Sequence, residues 1–366
     1  MYSHWEKKYW FSNVDFTIVG SGIVGLLTAI RLKEKKPQAC IRLIDSHAIP
    51  QGASTKNAGF ACFGTVGEIL DDLKHIEEDQ VAATISARFS GLQLLSSIID
   101  SELYTYRNCG GSEIFLSQEK FDFHADHVHK INNLCKNAIG HSPFKISQKP
   151  PVFNICDQLI YNALEGQLNP VLLMRALMTK AQSLGVDICL GHRVSSIEDT
   201  NVVSVNGDKL SFRSEQVMVT NNAFAGELLD DLDITPARNQ VLVSQPFSHP
   251  IPEGTYHYDR GYVYFRNISG NRILIGGARN LDPETETTNQ FNRNENIINH
   301  LKSFCETHLV HGKFEIESQW SGIMGLGNSK RPIIKNIRPG LRIGVRLGGM
   351  GIAIGAAVAY QLCEDI

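Results

Sequence analysis

The sequence predicts an α/β protein in which a Rossmann-like, dinucleotide-binding domain is joined to a second, α+β domain built on an antiparallel or mixed sheet. Three observations predict it. A glycine-rich turn links a strand to a helix near residue 20, a segment of small residues follows the next strand, and a glycine-led helix begins near residue 350. In each segment, glycines leave main-chain N–H groups open to a ligand, because no Cβ stands in front of them.

The first observation is a complete strand–helix–strand unit near the N-terminus. The apolar run 16–19 predicts a strand, the pattern from Ile23 to about Lys35 predicts a helix, and the apolar run 41–44 predicts a second strand. Asp45 ends that strand, twenty positions after Gly25. This spacing is typical of βαβ units that bind an adenine dinucleotide, with the acidic residue on a ribose.

The glycines of this unit, Gly20-x-Gly22-x-x-Gly25, have separate roles. Gly20 permits the tight turn, Gly22 admits a pyrophosphate close to the backbone, and Gly25 lets the helix pack on the strand. Asp45 would repel a 2′-phosphate, so NADP fits poorly, whereas FAD and NAD both remain possible from this motif. The predicted cofactor-binding residues of the segment are Gly20, Gly22, Ile23, Val24, Gly25, Asp45, Ser46 and His47.

Composition limits the possible functions. The chain has 366 residues and a net charge of −3, so it has no basic field for nucleic acid. Its eight cysteines show neither a CxxC pair nor zinc spacing, which favours a reducing compartment and no metal site. The longest uncharged run, 347–363, is led by glycines and suits a buried helix better than a membrane span. We expect a cytoplasmic, soluble protein.

A second small-residue segment, 51–64, follows the Asp45 strand with the sequence QGASTKNAGFACFG. Small side chains allow a flat aromatic ring system to approach the backbone closely. The alternative interpretation is an ordinary small-residue turn that enters a helix.

Position and spacing favour the first interpretation. Gly52, Ser54, Asn57 and Gly59 form a GxSxxNxG-like pattern, and Gly348-Gly349-Met350-Gly351 leads into an apolar helix. With the N-terminal unit, these segments resemble the D-amino-acid oxidase (DAO) superfamily of FAD-dependent oxidoreductases, in the branch of glycine oxidase and sarcosine oxidase.

The resemblance extends over nearly the whole chain. It includes a helix opened by Asn169-Pro170 and ended by Gly185, strands near 186–190 and 216–220, and a helix after the latter. In the family, these segments contact FAD, so the resemblance implies further cofactor-binding residues. They are Gly52, Ala53, Ser54, Lys56, Asn57, Ala58, Gly59, Val194, Thr220, Asn221, Gly322, Gly348, Gly349, Met350, Gly351 and Ile352.

The predicted cofactor domain is discontinuous, at about 1–75, 150–235 and 325–366, and the substrate domain comprises about 76–149 and 236–324. Residues 261–267 and 271–279 read as an antiparallel hairpin. The polar run 282–296 is typical of a surface loop that enters a helix.

The substrate-binding residues are less clear, because the chain departs from its relatives. Glycine oxidase-like members place a carboxylate-binding arginine soon after a Trp-x-Gly motif, where this chain has Met324. Arg266 shares alternate positions with Tyr262 and Tyr264, so these three are the candidate catalytic residues of a carboxylate pocket. A solvent-facing strand is the alternative. For Arg238, a role in substrate binding and a buried structural role are equally consistent with the sequence.

The implied function is FAD-dependent oxidation of a C–N bond in an amino acid or secondary amine, by hydride transfer to flavin N5. No cysteine lies between Cys305 and Cys363, where sarcosine oxidase-like members attach flavin, so noncovalent FAD is expected. The electron acceptor is O₂ or another molecule. Two alternatives are a 2-hydroxy-acid dehydrogenase of the L-2-hydroxyglutarate type, which needs a histidine base, and a flavin-binding subunit with little activity.

Overall fold

The computed structural model describes residues 2–207, 209–310 and 312–366. Its helices are α1 (His4–Tyr9), α2 (Ile23–Lys35), α3 (Ala53–Lys56), α4 (Val66–Asp72), α5 (Glu78–Ile98), α6 (Gln118–Ile139), α7 (Pro170–Ser183), α8 (Pro283–Glu286), α9 (Glu295–His308) and α10 (Gly351–Leu362). Short 3₁₀ helices cover Ser101–Tyr104, Asn222–Glu227 and Arg279–Leu281.

The strands form two large sheets and one small one. They are β1 (Val14–Val19), β2 (Ile41–Asp45), β3 (Phe60–Ala61), β4 (Gly111–Glu113), β5 (Phe144–Gln148), β6 (Gln158–Asn162), β7 (Gly166–Gln167), β8 (Asp187–Leu190), β9 (Val194–Ile197), β10 (Val202–Val205), β11 (Leu210–Val219), β12 (Thr235–Ser244), β13 (Thr255–Tyr258), β14 (Val263–Ile268), β15 (Arg272–Gly277), β16 (Ile316–Leu326), β17 (Ile333–Arg338) and β18 (Leu341–Val345).

The first sheet has eight strands. Along the order β17-β18-β11-β1-β2-β8, all strands from β18 to β8 are parallel, and β10 and β9 extend the sheet antiparallel from β11. β1 and β2 are apolar and almost wholly buried, as strands covered on both faces must be. Parallel strands align their carboxyl ends at one edge, so the turns after β1, β2 and β11 meet there. The predicted α/β fold is confirmed.

Helices α2, α7 and α10 pack in one apolar core with the first sheet. α7 begins where the sequence predicts it, because the Asn169 side chain accepts hydrogen bonds from the Val171 and Leu172 N–H groups at 3.0 and 3.1 Å. α5, from the predicted substrate part of the chain, also joins this core. A Cβ on Gly91 would lie 2.1 Å from the Ala353 carbonyl oxygen, so α5 and α10 are in close contact.

The second sheet has the order β16-β12-β15-β14-β13-β4-β6-β5. It is mixed, since β4 and β13 run parallel whereas the other neighbours are antiparallel. The predicted hairpin is confirmed as β14 and β15. One face packs on α9, and the other face packs on Ala58 and Phe60, close to the edge where the first sheet's turns meet.

Two predicted elements differ in the structure. The helix expected after β11 is a short 3₁₀ turn, at Asn222–Glu227, in which Asn222 has φ of +49°. The polar run 282–296 is only partly a surface loop, because Glu286 within α8 is 1% exposed. The proposed domain boundaries stay a prediction. β6, which lies inside the predicted 150–235 segment, pairs in the second sheet.

Candidate cofactor and substrate site

A cavity of about 960 Å³ lies between the two large sheets. One side, here called the glycine wall, consists of residues 20–25, 52–59 and 348–351. The other side, called the sheet wall, consists of cavity-lining residues of β12 to β16 and their turns. All predicted cofactor residues except Gly25 line this cavity, and so do Tyr262 and Tyr264. The fold therefore brings together segments that are far apart in sequence.

The turn from β1 into α2 depends on glycine for steric reasons. Gly20 has φ of +103°, a conformation that other residues rarely adopt. A Cβ on Gly25 would lie 1.9 Å from the Gly20 carbonyl oxygen, so Gly25 works by allowing the helix to pack on the turn. Gly25 is thus a packing residue behind the cavity, in the role that the motif predicts.

The N-terminus of α2 offers hydrogen-bond donors to the cavity. Its N-cap, Gly22, has no side chain to satisfy the free N–H groups. The Ser54 Oγ accepts a hydrogen bond from the Ile23 N–H at 2.9 Å, which leaves the Ser54 hydroxyl proton available to donate outward. Main-chain N–H groups and a hydroxyl donor at a helix N-terminus suit a phosphate group.

Asp45 is held in place at the end of β2. Its Oδ2 accepts hydrogen bonds from the Ser21 N–H and hydroxyl, both at 2.8 Å, and its Oδ1 accepts from the His47 N–H at 3.1 Å. The carboxylate lines the cavity, and its Oδ1 keeps one unused lone pair, because each oxygen can accept two hydrogen bonds. Asp45 can therefore accept a hydrogen bond from a ribose hydroxyl from a fixed position.

The second small-residue segment is rigid. The Asn57 amide donates to the Ala53 and Ser54 carbonyls at 3.1 and 2.9 Å and accepts from the Gly59 N–H at 2.9 Å. Gly59 has φ of +75°, and a Cβ there would lie 2.1 Å from the Leu168 carbonyl oxygen. These constraints fix the backbone along which a flat ring system can lie.

The third glycine segment precedes α10. Gly348 has φ of +58°, and the space that a Cβ would enter is open. The N-cap of α10, Met350, makes no side-chain hydrogen bond, and the first turn carries no acidic residue. A helix N-terminus that is uncapped and faces the cavity stabilises negative charge on a bound group.

Near the glycine wall, the sheet wall carries both aromatic and polar side chains. The Phe60 ring contacts the Tyr264 ring edge-on at 5.5 Å and the His257 ring at 5.2 Å, measured between centroids. Burial raises the pKa of Tyr264, which keeps its hydroxyl neutral. Met324 also lines the cavity, so this position contributes no charge.

Arg266 does not take the position that the sequence suggests. It is 8% exposed and is not among the residues that line the cavity. Its Nη1 donates to the Gln167 Oε1 at 3.2 Å, its Nε has no partner, and burial lowers its pKa to about 10. Because it lies behind Gly59, the pocket expected from Tyr262, Tyr264 and Arg266 is not formed.

Sequence reasoning missed a buried pair at the cavity wall. His257, on β13, lines the cavity, and its Nε2 is hydrogen-bonded to Glu165 Oε1, which also accepts from the Thr255 hydroxyl at 2.8 Å. Burial alone would lower the pKa of His257, but attraction to Glu165 and, more weakly, to Glu113 and Glu68 raises it. No local motif predicts this pair, because 92 residues separate its members.

Cys62 lies next to this pair, and donor atoms of Cys62, Glu165 and His257 lie within 4.8 Å of one another. Three such groups can ligate a metal. Here the imidazole Nε2 and the carboxylate bond directly to each other, so an ion would have to displace that bond. Burial raises the pKa of Cys62 well above its ordinary value, which keeps it a thiol. The arrangement is best understood as a hydrogen-bonded ion pair.

Arg238, for which the sequence allowed either a functional or a structural role, has a structural role. It is 3% exposed, and its Nε and Nη2 donate to both oxygens of Glu286, with the shortest distance 2.7 Å. Gln240 and Asn294 donate to the same carboxylate at 3.2 and 3.0 Å. This buried network holds the segment that carries Phe291, which lines the cavity mouth.

Fold and site together indicate a dinucleotide-binding oxidoreductase in which a second sheet lines the cavity opposite the glycine wall. The sequence model of the family "FAD dependent oxidoreductase" (DAO) matches residues 15–364, so the chain belongs to this family. It is an enzyme that uses FAD. The residues present fit that cofactor, since two helix N-termini and a glycine-lined channel open into one cavity.

Curated relatives are distant. The chain is 24% identical over 66% of its length to the bifunctional protein ThiO/ThiG of Synechocystis, of which it spans only 34%. It is 21% identical over 93% of its length to the probable oxidoreductase OrdL of Rhizobium meliloti, and the match covers 80% of that protein.

Solved structures share the fold. The glycine oxidase of Geobacillus kaustophilus has a TM-score of 0.75 at 19% identity, with 96% of this chain and 94% of that chain covered. L-α-glycerophosphate oxidase of Mycoplasma pneumoniae, solved with FAD bound, has a TM-score of 0.75 at 16% identity over 96% and 94% of the two chains. Among the described residues, no helix is long and apolar enough to cross a membrane.

Proposed function

We propose that this enzyme oxidises a C–N bond of an amino acid or secondary amine. The observation that carries the proposal is the cavity in which the glycine wall meets an aromatic wall formed by Tyr262 and Tyr264. FAD, when bound, supplies the hydride acceptor. A neutral amine needs no deprotonation, so binding and orientation of the substrate are the main tasks of the protein.

The residues of the sheet wall can perform those tasks. Tyr262, Tyr264 and Met324 line the cavity on the side opposite the glycine wall, where a bound substrate would pack against them. The Tyr264 hydroxyl stays protonated, so it can donate a hydrogen bond but does not remove a proton. The Asn239 amide lies 3.7 Å from the Met324 sulfur and adds a polar group to the same surface.

The test is anaerobic mixing of the holoenzyme with a panel of amino acids, N-methyl amines and 2-hydroxy acids. We expect an amino acid or secondary amine to bleach the visible absorbance of the oxidised flavin. Bleaching by hydroxy acids alone would contradict the proposal. Reoxidation with O₂, compared with an artificial acceptor, then separates oxidase from dehydrogenase.

Oxidation of a 2-hydroxy acid is the second candidate, and His257 is the observation that favours it. A histidine backed by a buried carboxylate is a suitable base for an alcohol proton. Attraction to Glu165 outweighs burial and raises the pKa of His257, which favours the protonated ring over the free base that alcohol oxidation needs. An alcohol-oxidising enzyme would therefore gain kcat/KM as pH rises through the His257 pKa, and this gain would disappear in His257→Gln.

We also propose that FAD is held without a covalent bond and that the enzyme is cytoplasmic. Among the cysteines of the described residues, Cys62 lines the cavity, and its buried thiol is protonated and poorly nucleophilic. Acid precipitation should release all flavin into the supernatant. Flavin that stays with the protein in the wild type but not in Cys62→Ser would contradict this proposal.

A further inference from the structure

Among the described residues, two cations that line the cavity have no counter-ion. Most lysines and arginines that line it are ion-paired: Arg88 with Glu68 at 3.0 Å, Arg193 with Glu227 at 2.6 Å, Arg260 with Asp71 at 3.5 Å, Lys330 with Asp72 at 2.6 Å, and Arg346 with Asp233. Within the described part of the chain, Lys56 and Arg279 also line the cavity but have no carboxylate within 4.0 Å.

Arg279 is held at the end of β15 by its own backbone. The preceding residue, Ala278, has φ of +59° and is 1% exposed, and its N–H donates to the Tyr262 carbonyl at 2.6 Å. The Leu281 N–H then closes the turn on the Ala278 carbonyl at 3.1 Å. The Cα of Arg279 is thus fixed beside Tyr262, while its guanidinium makes no hydrogen bond to the described residues.

Lys56 faces the same space from the glycine wall. Its carbonyl oxygen accepts a hydrogen bond from the Trp320 indole at 2.9 Å, which ties this residue to β16. Its ammonium lies 5.5 Å from the centre of the Phe291 ring, and both residues line the cavity. The half-buried side chain therefore stands between the two walls.

We propose that Arg279, assisted by Lys56, binds the carboxylate of an acidic substrate. This inference rests on the proposed function and names its substrate class. Met324 provides no charge at the position where the resemblance to glycine oxidase predicts an arginine, and Arg266 is buried and does not line the cavity. A guanidinium can bind a carboxylate through two parallel hydrogen bonds, which Lys56 alone cannot.

Two unpaired positive charges favour a dianion over a monoanion, because each charge gains a partner on binding. The preferred substrate is therefore an amine or amino acid with two carboxylates, one of which is bound by Arg279.

Binding to the oxidised holoenzyme tests this without turnover. The probes are malonate, acetate and the uncharged malonamide, and the readouts are perturbation of the bound-flavin spectrum and the shift in Tm. We expect malonate to bind more tightly than acetate and malonamide not to bind. Arg279→Met should weaken malonate about 10- to 100-fold, as loss of charged hydrogen bonds implies. Arg279→Lys should weaken it less, and Lys56→Met should reduce the preference for malonate over acetate.

Arg272→Met is the matched control. Arg272 lies at the other end of β15, outside the cavity and paired with Glu317 at 2.6 Å, so malonate should bind this variant as it binds the wild type. Equal malonate affinity in wild type and Arg279→Met would overturn the inference, as would a wild type that does not bind malonate. If Arg279→Met does not retain flavin, the malonate affinities of Arg279→Gln and Arg279→Lys are compared with that of the wild type instead. A substrate panel that fails to bleach the flavin would instead refute the proposed function.

Discussion

The glycine wall and the sheet wall form the same cavity in different ways. The glycine wall acts through its backbone: φ values, close packing and uncapped helix N-termini, as at Gly20, Gly25 and Gly348. The sheet wall acts through side chains whose charges depend on partners far away in sequence, as at His257, and it is supported by buried pairs of the same kind, as at Arg238. Substitutions in the first wall should therefore alter cofactor binding through shape, and those in the second should act through charge.

The largest expected effect is on the support of the sheet wall. Arg238→Met leaves the Glu286 carboxylate buried without its cation, which should lower the free energy of unfolding by about 3–5 kcal/mol. Urea denaturation measures it. Arg272→Met, which breaks the half-exposed pair with Glu317, should cost only about 0–1 kcal/mol. Similar losses of unfolding free energy in the two variants would show that burial of the Arg238–Glu286 pair does not increase its contribution to stability.

The glycine wall should respond to a single added methyl group. Gly25→Ala places a Cβ 1.9 Å from the Gly20 carbonyl, so the helix must shift. We expect a loss of about 1–3 kcal/mol in stability and a clear fall in the FAD-to-protein ratio after purification. Gly226→Ala is the control, because no heavy atom lies within 4 Å of its added Cβ. Full FAD content in Gly25→Ala would contradict the steric argument.

The ion pair of the sheet wall should make stability depend on pH. The pKa of His257 is raised in the folded state, so the stabilisation is fully present below the unfolded value of about 6.5 and is lost as pH rises through the folded value. His257→Gln keeps a donor but no charge. It should be less stable than the wild type by about 1–2 kcal/mol at low pH, with a smaller difference at high pH. A stability difference between the two proteins that does not change with pH would show that the charge of His257 does not stabilise the fold.

The smallest effect concerns a single hydroxyl on the glycine wall. Ser54→Ala removes the acceptor of the Ile23 N–H and the outward donor at the start of α2. The loss should be about 0.5–2 kcal/mol in FAD affinity, measured by titration of the apoenzyme. Thr55→Ala, whose hydroxyl bonds only to nearby carbonyls, is the comparison. Equal effects would mean that the Ser54 hydroxyl does not act on the cofactor.

The sequence by itself determined the fold class, the strands and helices of the parallel sheet, and the glycine wall, because backbone requirements leave local traces. Gly20, Gly25 and Asp45 stand at fixed spacings that one strand–helix–strand unit demands. The hairpin β14–β15 was likewise evident from apolar alternation around a turn.

Only the tertiary structure determined which charged side chains in and around the sheet wall are paired, buried or open to the cavity. Alternation placed Tyr264 and Arg266 on one face, but the packing of Gly59 over that face removed Arg266 from the cavity. Contacts between distant segments place Glu165 beside His257 and Glu286 beside Arg238, whereas no carboxylate of the described residues lies within 4.0 Å of Arg279. The physical reason is that a side chain's charge and accessibility depend on its neighbours in space, whereas a glycine's role depends mainly on its own backbone.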